Sequence, residues 1–449
     1  KKSGLEICRE ALSILAVARQ GLSQQELEEL LRIQERGLES NWHSLAQALN
    51  TDLAVRSEGL LGFVYSAFRL AVERRYLVDP EERRKVQLKL AAYFEGKKSS
   101  SEGADAKRTA DELPYVLEGL GEWGRLRDCL ASSLDMLYQL YNDKDTVDLL
   151  RFWREGGSEG ELNGYKAAAE CYVKELGRFE QEGMAPQMLW QSSLTVARFL
   201  GDAGEFNEAH ALLVKARDMA KDLGGGDKFV AEVSLRCAEL LNKWSASSPE
   251  YTSEMMLRSA TYAREASDLF AKLEECRELY ASALYWTTLN FATLGRLGGG
   301  GKWNASSCFE TADSSASECL ALRHQIQAPQ VKVAESIFSK GVLFFCKSEA
   351  ISSNLLQPAE DAAQEVKKLR EAAFEAFSQC YDDFQNEYGA KHLEAIKCIT
   401  MMALLCRRME RQRESIKWAS QEVRLREEVQ GELHPRTQQA RRVLIELRN

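Results

Sequence analysis

Apolar residues recur at helical spacing from the first turns of this 449-residue chain. In LEICREALSILAVA (5–18) they fall three and four apart, which places them on one face of a helix. Gly21 stops that helix. Ser23 and Glu26 then form a capping box ahead of QQELEELLRI, since each side chain can satisfy an orphan backbone N–H. NWHSLAQAL (41–49) predicts a third helix. Next the period changes, and LAVRSEG and LLGFVYS read as two short strands turning at Ser57–Gly59. Three helices and a small hairpin are the plan of a winged helix. AFRLAVERRYL runs to Pro80, EERRKVQLKLAAYF predicts another helix, and the polar, Gly- and Ser-rich stretch 97–108 predicts a mobile loop. Short helices follow from Thr109 to Trp153, with Pro114 expected near the start of one and Gly121 at a turn.

Beyond Gly164 the pattern becomes a succession of helix pairs. In SLTVARFLGDAGEFNEAHALLVKARDMAKDL the small and aromatic residues Ala197, Gly204, Phe206, Ala209 and Ala216 have the spacing of a helical hairpin. Small residues let its helices approach, and the aromatic fills the gap beside the turn. Gly224–Gly226, Ser245–Pro249 and Gly298–Gly301 mark loops, and 347–366 predicts an insertion between helices. Near the C-terminus EAAFEAFSQCYDDFQNEYGAKHLEAI (371–396) recurs in degenerate form as ESIKWASQEVRLREEVQGELHPRT (414–437). Gly389 pairs with Gly431 and His392 with His434, both 42 residues apart. A fixed period of this size marks stacked hairpins, each unable to bury its apolar face alone. Such an array predicts a binding scaffold rather than a catalytic pocket.

Composition narrows the function classes. Seven prolines in a chain that is 45% hydrophobic fit a mostly helical protein with more than one core. A net charge of −9 argues against a general nucleic-acid binder, which needs a basic face for phosphate. Eleven cysteines stand singly, without CxxC spacing, and predict reduced thiols used as small apolar residues in a cytoplasmic protein. No apolar run reaches the ~18 residues of a membrane span, and no signal peptide is evident. The chain opens at Lys1 without a methionine, which predicts a piece of a longer protein.

Catalytic and cofactor chemistry finds little support. GRLGGGGKW (295–303) has the look of a phosphate loop, but Arg296 replaces its first glycine and Trp303 the magnesium-binding Ser or Thr. A flexible inter-helix loop is the expectation there. His43, His210, His324, His392 and His434 are isolated, which argues against a metal centre; the last two read as turn residues. Ser66 lacks a nucleophile elbow. The third helix of the winged-helix plan carries no Arg or Lys, so it lacks the commonest base contact of a DNA reader. No cofactor, metal or catalytic residue is therefore assigned.

Several motifs resemble known families. ARQGLSQQELEELL, VYSAFRLAVERRYL, LKLAAYF, DELPYVLEGLGEWGRLRDCL and DLLRFWR make residues 1–153 similar to the segment after the nucleotide-binding domain of nephrocystin-3-like signal-transduction (STAND) ATPases. Residues 371–437 resemble the tetratricopeptide (TPR) repeats of kinesin light chains and nephrocystin-3, with a Gly-x-x-His-Pro corner intact at Gly431, His434 and Pro435. The preceding corner has Leu393 in place of the proline. Tyr65 and Gln87 stand where family members often carry histidine, and Thr400 and Met401 where kinesin light chains carry a pair of asparagines. The resemblance implies a nucleotide-binding domain upstream, and a cilium or the cytoskeleton as setting.

The expectation is an all-α protein: a winged-helix domain with a small β hairpin (1–95), a helical connector (96–160) and a TPR superhelix (161–449). It would be a non-catalytic scaffold that binds a peptide or helix of another protein in the superhelical groove. Lys397, Thr400 and Met401 are the candidate groove residues, with Thr287 and Asn290 as upstream equivalents. Two alternatives stay open: a regulatory part of a signal-transduction ATPase, and a structural component of a ciliary or microtubule-associated assembly. Docking on tubulin would use the arginine-rich segment 407–449.

Overall fold

The computed structural model describes residues 2–37, 39, 43–44, 47, 53–55, 59–98, 104–131, 134–142, 145–156, 164–224, 226–247, 252–358 and 361–448. Among them are twenty α-helices and two very small sheets, an all-α protein. The chain divides into two compact units, Lys1–Asn142 with Phe152–Gly164, and Asp143–Arg151 with Tyr165–Asn449.

In the first unit α1 (Lys2–Val17) packs on α3 (Ser66–Tyr76) and α4 (Pro80–Lys98) through buried residues such as Ile7, Leu12 and Leu15. The capping box forms as expected, with Ser23 accepting from the Glu26 N–H at the start of α2 (Gln24–Leu31). The helix expected over 41–49 lies largely outside the described residues, as do Ser57 and Glu58 of the hairpin turn. Its strands are β2 (Leu53–Val55) and β3 (Leu60–Phe63), antiparallel with Leu53 opposite Phe63. A third strand, β1 (Leu22–Ser23), completes the order β1-β3-β2. Two residues carry no periodicity, which hid it. Gly21 makes that pairing possible: its φ is +103°, and a Cβ would lie 2.3 Å from the Leu61 carbonyl oxygen.

Of the loop expected over 97–108, residues 97–98 and 104–108 are helical instead, and 99–103 lie outside the described residues. Helix α4 reaches Lys98, and α5 (Ala104–Leu120) has begun by Ala104. Arg108 supplies the reason, donating to the Gly21 carbonyl at 2.8 Å and to Glu26 at 3.0 Å. Pro114 lies inside α5, not near its start. It forfeits one helical hydrogen bond, while its neighbours Leu113, Val116 and Leu117 are fully buried. Glu112, also buried, accepts the backbone N–H groups of Arg19 at 2.7 Å and Gln20 at 2.8 Å. Burial pushes its carboxyl up to about 7, against the pull of Arg108. Helices α6 (Trp123–Ala131) and α7 (Leu134–Leu140) follow, and the division between units falls within α8 (Thr146–Gly156).

The second unit is a stack of helical hairpins. It runs through α9 (Gly164–Gln181), α10 (Pro186–Ala203), α11 (Phe206–Asp222), α12 (Asp227–Ser245), α13 (Thr252–Phe270), α14 (Arg277–Arg296) and α15 (Ala305–Gln325). It continues with α16 (Gln330–Ser352), α17 (Ala362–Tyr388), α18 (Leu393–Arg408), α19 (Gln412–Val429) and α20 (Pro435–Arg448). From α10 to α20 each helix packs on the next, and α10, α12, α14, α16 and α18 also touch one another in series. Those five are the inner layer. Its middle member shows the cost in composition: every residue of α14 from Ala283 to Ala292 is buried, as expected of a helix enclosed on all sides.

Small residues permit the close approach. Ala231 and Ala238 of α12 and Ala260 and Ala263 of α13 are fully buried, and Ser259 donates to the Ala238 carbonyl at 2.7 Å. Cys308, Cys319, Cys346, Cys380 and Cys398 are buried in the same core as free thiols. Two expectations change here. Gly299–Gly300 pairs with Trp303–Asn304 as an antiparallel β4–β5 ribbon, so the glycine run is an ordered hairpin. A Cβ on Gly299 would meet the Trp303 carbonyl oxygen at 2.4 Å, so glycine is what lets this turn close. The insertion expected over 347–366 shrinks to 353–361, because α16 runs to Ser352 and Asp361 caps α17.

Candidate ligand groove

The inner helices of the second unit converge on a cavity of about 220 Å³. Tyr285, Trp286 and Leu289 of α14, Phe338 and Val342 of α16, and Met401 of α18 give it apolar walls.

Lys397, Thr400 and Met401, the candidates from the repeat, lie together on this wall, half-buried. Thr287 and Asn290 do not line it. Both are fully buried between helices. Thr287 donates to the Ala263 carbonyl at 3.1 Å and meets the Ser267 hydroxyl at 2.7 Å, while Asn290 accepts from Asn242 at 2.6 Å. They brace neighbouring hairpins.

One end of the cavity is polar. Thr400 donates to Glu422 at 2.6 Å, Arg426 reaches the same carboxylate at 2.7 Å, and Arg426 also donates to the Gln430 side-chain oxygen at 2.9 Å. Lys243 is held by Asp202 at 2.6 Å and Glu239 at 2.7 Å, and Lys397 by Glu394 at 2.6 Å. Arg436 differs. Its guanidinium reaches the Ala246 carbonyl at 3.4 Å, and no carboxylate among the described residues is within ion-pair distance of it. Burial, and then the charge of Arg426, lower its pKa to about 10.

The Gly431–Pro435 corner closes this end against the first hairpins of the array. Tyr165 donates to the Gln430 carbonyl at 2.9 Å, and His434 Nε2 lies 3.1 Å from the Asp202 carbonyl oxygen. His434 Nδ1 accepts the Arg436 N–H at 3.1 Å, so the proton sits on Nε2 and is donated to Asp202. Gln430 Nε2 turns toward the same carbonyl at 3.5 Å. Gly204 leaves room for the corner: at φ +87°, its Cβ would stand 2.9 Å from Pro435 Cδ and 3.1 Å from His434 Nε2. The sequence makes His434 a turn residue, and it is one. It is also only 2% exposed, and burial, with the nearby Arg426 charge, depresses its pKa to about 3.

Arg426, Gln430 and Arg436 were not among the residues picked out by sequence, although the repeat holds a signal for two of them. Shifted by the 42-residue period, Glu422, Arg426 and Gln430 fall on Cys380, Phe384 and Tyr388. An apolar stripe at i, i+4 and i+8 of α17 thus becomes a polar stripe on α19 and its C-cap residue. That exchange is what a helix needs when its inner neighbour is a polar cavity end and not another hairpin. Arg436 falls on Glu394, a reversal of charge.

The fold is that of an all-α protein whose second unit is a stack of helical hairpins. Over part of its length the chain is similar to nephrocystin-3. It is 29% identical to the mouse protein over 204 residues, 44% of this chain and 14% of that protein. With the human protein it shares 28% over 212 residues, 45% of this chain and 15% of the relative. A TPR repeat-containing protein of Dictyostelium discoideum is 24% identical over 191 residues, 40% of this chain and 11% of the relative. The matched stretch is thus a small fraction of each relative's length. Among solved structures, a STAND protein with a tetratricopeptide repeat sensor from Pyrococcus horikoshii aligns at a TM-score of 0.34 and 15% identity, over 98% of this chain and 59% of that one. No protein-family model matches the chain. No helix among the described residues is long and apolar enough to cross a membrane.

Proposed function

We propose that the helical array is a non-catalytic scaffold that holds a segment of another protein in the groove between its inner helices. One observation carries the reading: Lys397, Thr400 and Met401 share an open cavity with the aromatic wall of α14 and α16. The apolar lining, with a few fixed polar groups at one end, is the composition of a recognition site. Under this reading Thr287 and Asn290 support the groove and leave ligand contact to Lys397, Thr400 and Met401.

The domain limits proposed with it are 1–95, 96–160 and 161–449. The compact unit beginning again at Tyr165 supports the last, and the antiparallel β1-β3-β2 sheet, whose strands flank α2 in the chain, supports a winged helix in the first. A second reading has an observation of its own. In the first unit Val55, Val64, Tyr65 and Leu70 are exposed apolar residues around the small sheet and the start of α3. Together with the similarity to nephrocystin-3, they support a regulatory surface within a longer ATPase.

The groove is tested by substituting Met401 with arginine, which fills the cavity and adds charge. Peptides selected by display on the native chain should lose tenfold or more in affinity for the variant, while its circular dichroism and melting stay unchanged. Peptides that bind both proteins equally would refute groove binding. If they instead compete with changes at Tyr65, the second reading is favoured.

A further inference from the structure

Helix α3 of the first unit leaves one stripe uncovered. Ala67, Leu70, Ala71, Arg74 and Arg75, at i, i+3, i+4, i+7 and i+8, are all exposed, whereas Val72 and the capping Leu77 are buried. Leu70 is 50% exposed, and Tyr65, just ahead of the helix, 64%. A solvated helix face normally carries polar side chains, but the first turns of this one present alanine and leucine. Its charge is also out of balance. Residues 66–76 hold three arginines and one glutamate, in a chain of net charge −9. That glutamate, Glu73, is taken by Arg69 at 3.2 Å and Arg83 at 3.9 Å. Arg75 lies 5.6 Å from the centre of the Tyr76 ring, and no carboxylate among the described residues is within ion-pair distance of Arg74 or Arg75. An exposed apolar patch rimmed by charge marks a contact surface.

We propose that this stripe of α3 seats an amphipathic helix of a partner protein, apolar where it meets Ala67, Leu70 and Ala71, and acidic one turn further on, opposite Arg74 and Arg75. The inference rests on the second reading above, that this surface of the first unit makes a contact, and names the chemistry of what it contacts. Alanines at i and i+4 leave a shallow groove on α3, into which the side-chain ridge of a facing helix fits at about 8–10 Å between axes. The two arginines then fix the direction and register of that helix, since charge complementarity adds specificity more than affinity. A second copy of this chain fits less well, because its own stripe carries no carboxylate to meet them.

The probe is a displayed library of helical peptides of about four turns, selected on the full chain and depleted on Leu70→Arg. Recovered sequences should carry apolar residues at helical spacing followed by paired acids. They should bind Leu70→Arg roughly tenfold more weakly than the native chain. The double variant Arg74→Gln, Arg75→Gln should weaken them about threefold to tenfold at low salt, the scale of two exposed ion pairs. That loss should shrink in ~1 M salt, where charges are screened within about 3 Å. The substituted side chains are exposed, so circular dichroism and melting of both variants should match the native chain. Recovered helices without paired acids, or indifferent to the double variant, would overturn this inference alone. A library that yields no helix sensitive to Leu70→Arg would overturn the contact surface as well. Two further results would replace the helix with another occupant. Flotation of the chain with phosphatidylserine–phosphatidylcholine vesicles, abolished by Leu70→Arg, would assign the stripe to a lipid surface. A concentration-dependent dimer abolished by the same change would assign it to a second copy.

Discussion

Acid should open the seam that His434 closes. The neutral imidazole accepts the Arg436 N–H on Nδ1 and donates from Nε2 to the Asp202 carbonyl. A second proton would have to go onto Nδ1, against a backbone donor, in a site buried beside Arg426. Its pKa accordingly lies at about 3 in the fold, against 6.5 in an unfolded chain. For a depressed pKa the stabilisation is complete above the unfolded value and is lost as pH falls toward the folded one. Each unit below 6.5 costs about 1.4 kcal/mol. At pH 5 that amounts to about 2 kcal/mol. The assay is urea unfolding by tryptophan fluorescence at pH 7, 6 and 5, on the native chain and on His434→Asn. Asparagine still caps a helix N-terminus but does not titrate, and the difference between the two proteins cancels every other group. The native chain should lose about 2 kcal/mol relative to the variant between pH 7 and pH 5. A difference that stays constant across that range would refute the assignment of a buried, neutral His434.

Gly204→Ala should destabilise the array by about 2–4 kcal/mol, from left-handed strain together with overpacking against the corner. Amide exchange should speed up from Gln430 to Thr437, and a melting temperature within a degree of native would contradict the contact with Pro435. Glu112→Gln should cost the first unit about 1–3 kcal/mol, because an amide N–H₂ would face a backbone donor from Arg19 or Gln20. Chemical denaturation of the variant with an unchanged midpoint would show that neither backbone bond matters.

The array was readable because its physics is repetitive. Gly389 and Gly431, with His392 and His434, fix the period, and Gly204 ahead of Phe206 announces a hairpin turn that needs a positive φ. Features fixed by distant partners were not readable. Nothing around 104–108 says that Arg108 will be drawn onto Glu26 and Gly21, so polarity there reads as loop when the chain is helical. Strand β1 depends on a close approach between Gly21 and Leu61 that no window of sequence contains. Lys397, Thr400 and Met401, chosen for their place on an inner helix, line the cavity. Thr287 and Asn290 occupy a similar place, but further helices close over them. Arg436 is a different case, because its role depends on where the corner lands, on residues more than two hundred positions upstream.

The contact between that corner and the first hairpins changes what kind of object the array is. An open solenoid is a line of neighbours: it can fray from either end, and it tolerates extra repeats because nothing measures its length. Once Gln430 and His434 bind near Tyr165 and Asp202, the count of hairpins between them becomes part of the fit. A duplicated or deleted hairpin anywhere between α10 and α19 would carry the corner past its seat. Sequence separations of 265 and 232 residues at the closure also make it among the last contacts a folding chain can form. The groove therefore exists only in molecules whose whole array has been assembled and has the right number of repeats.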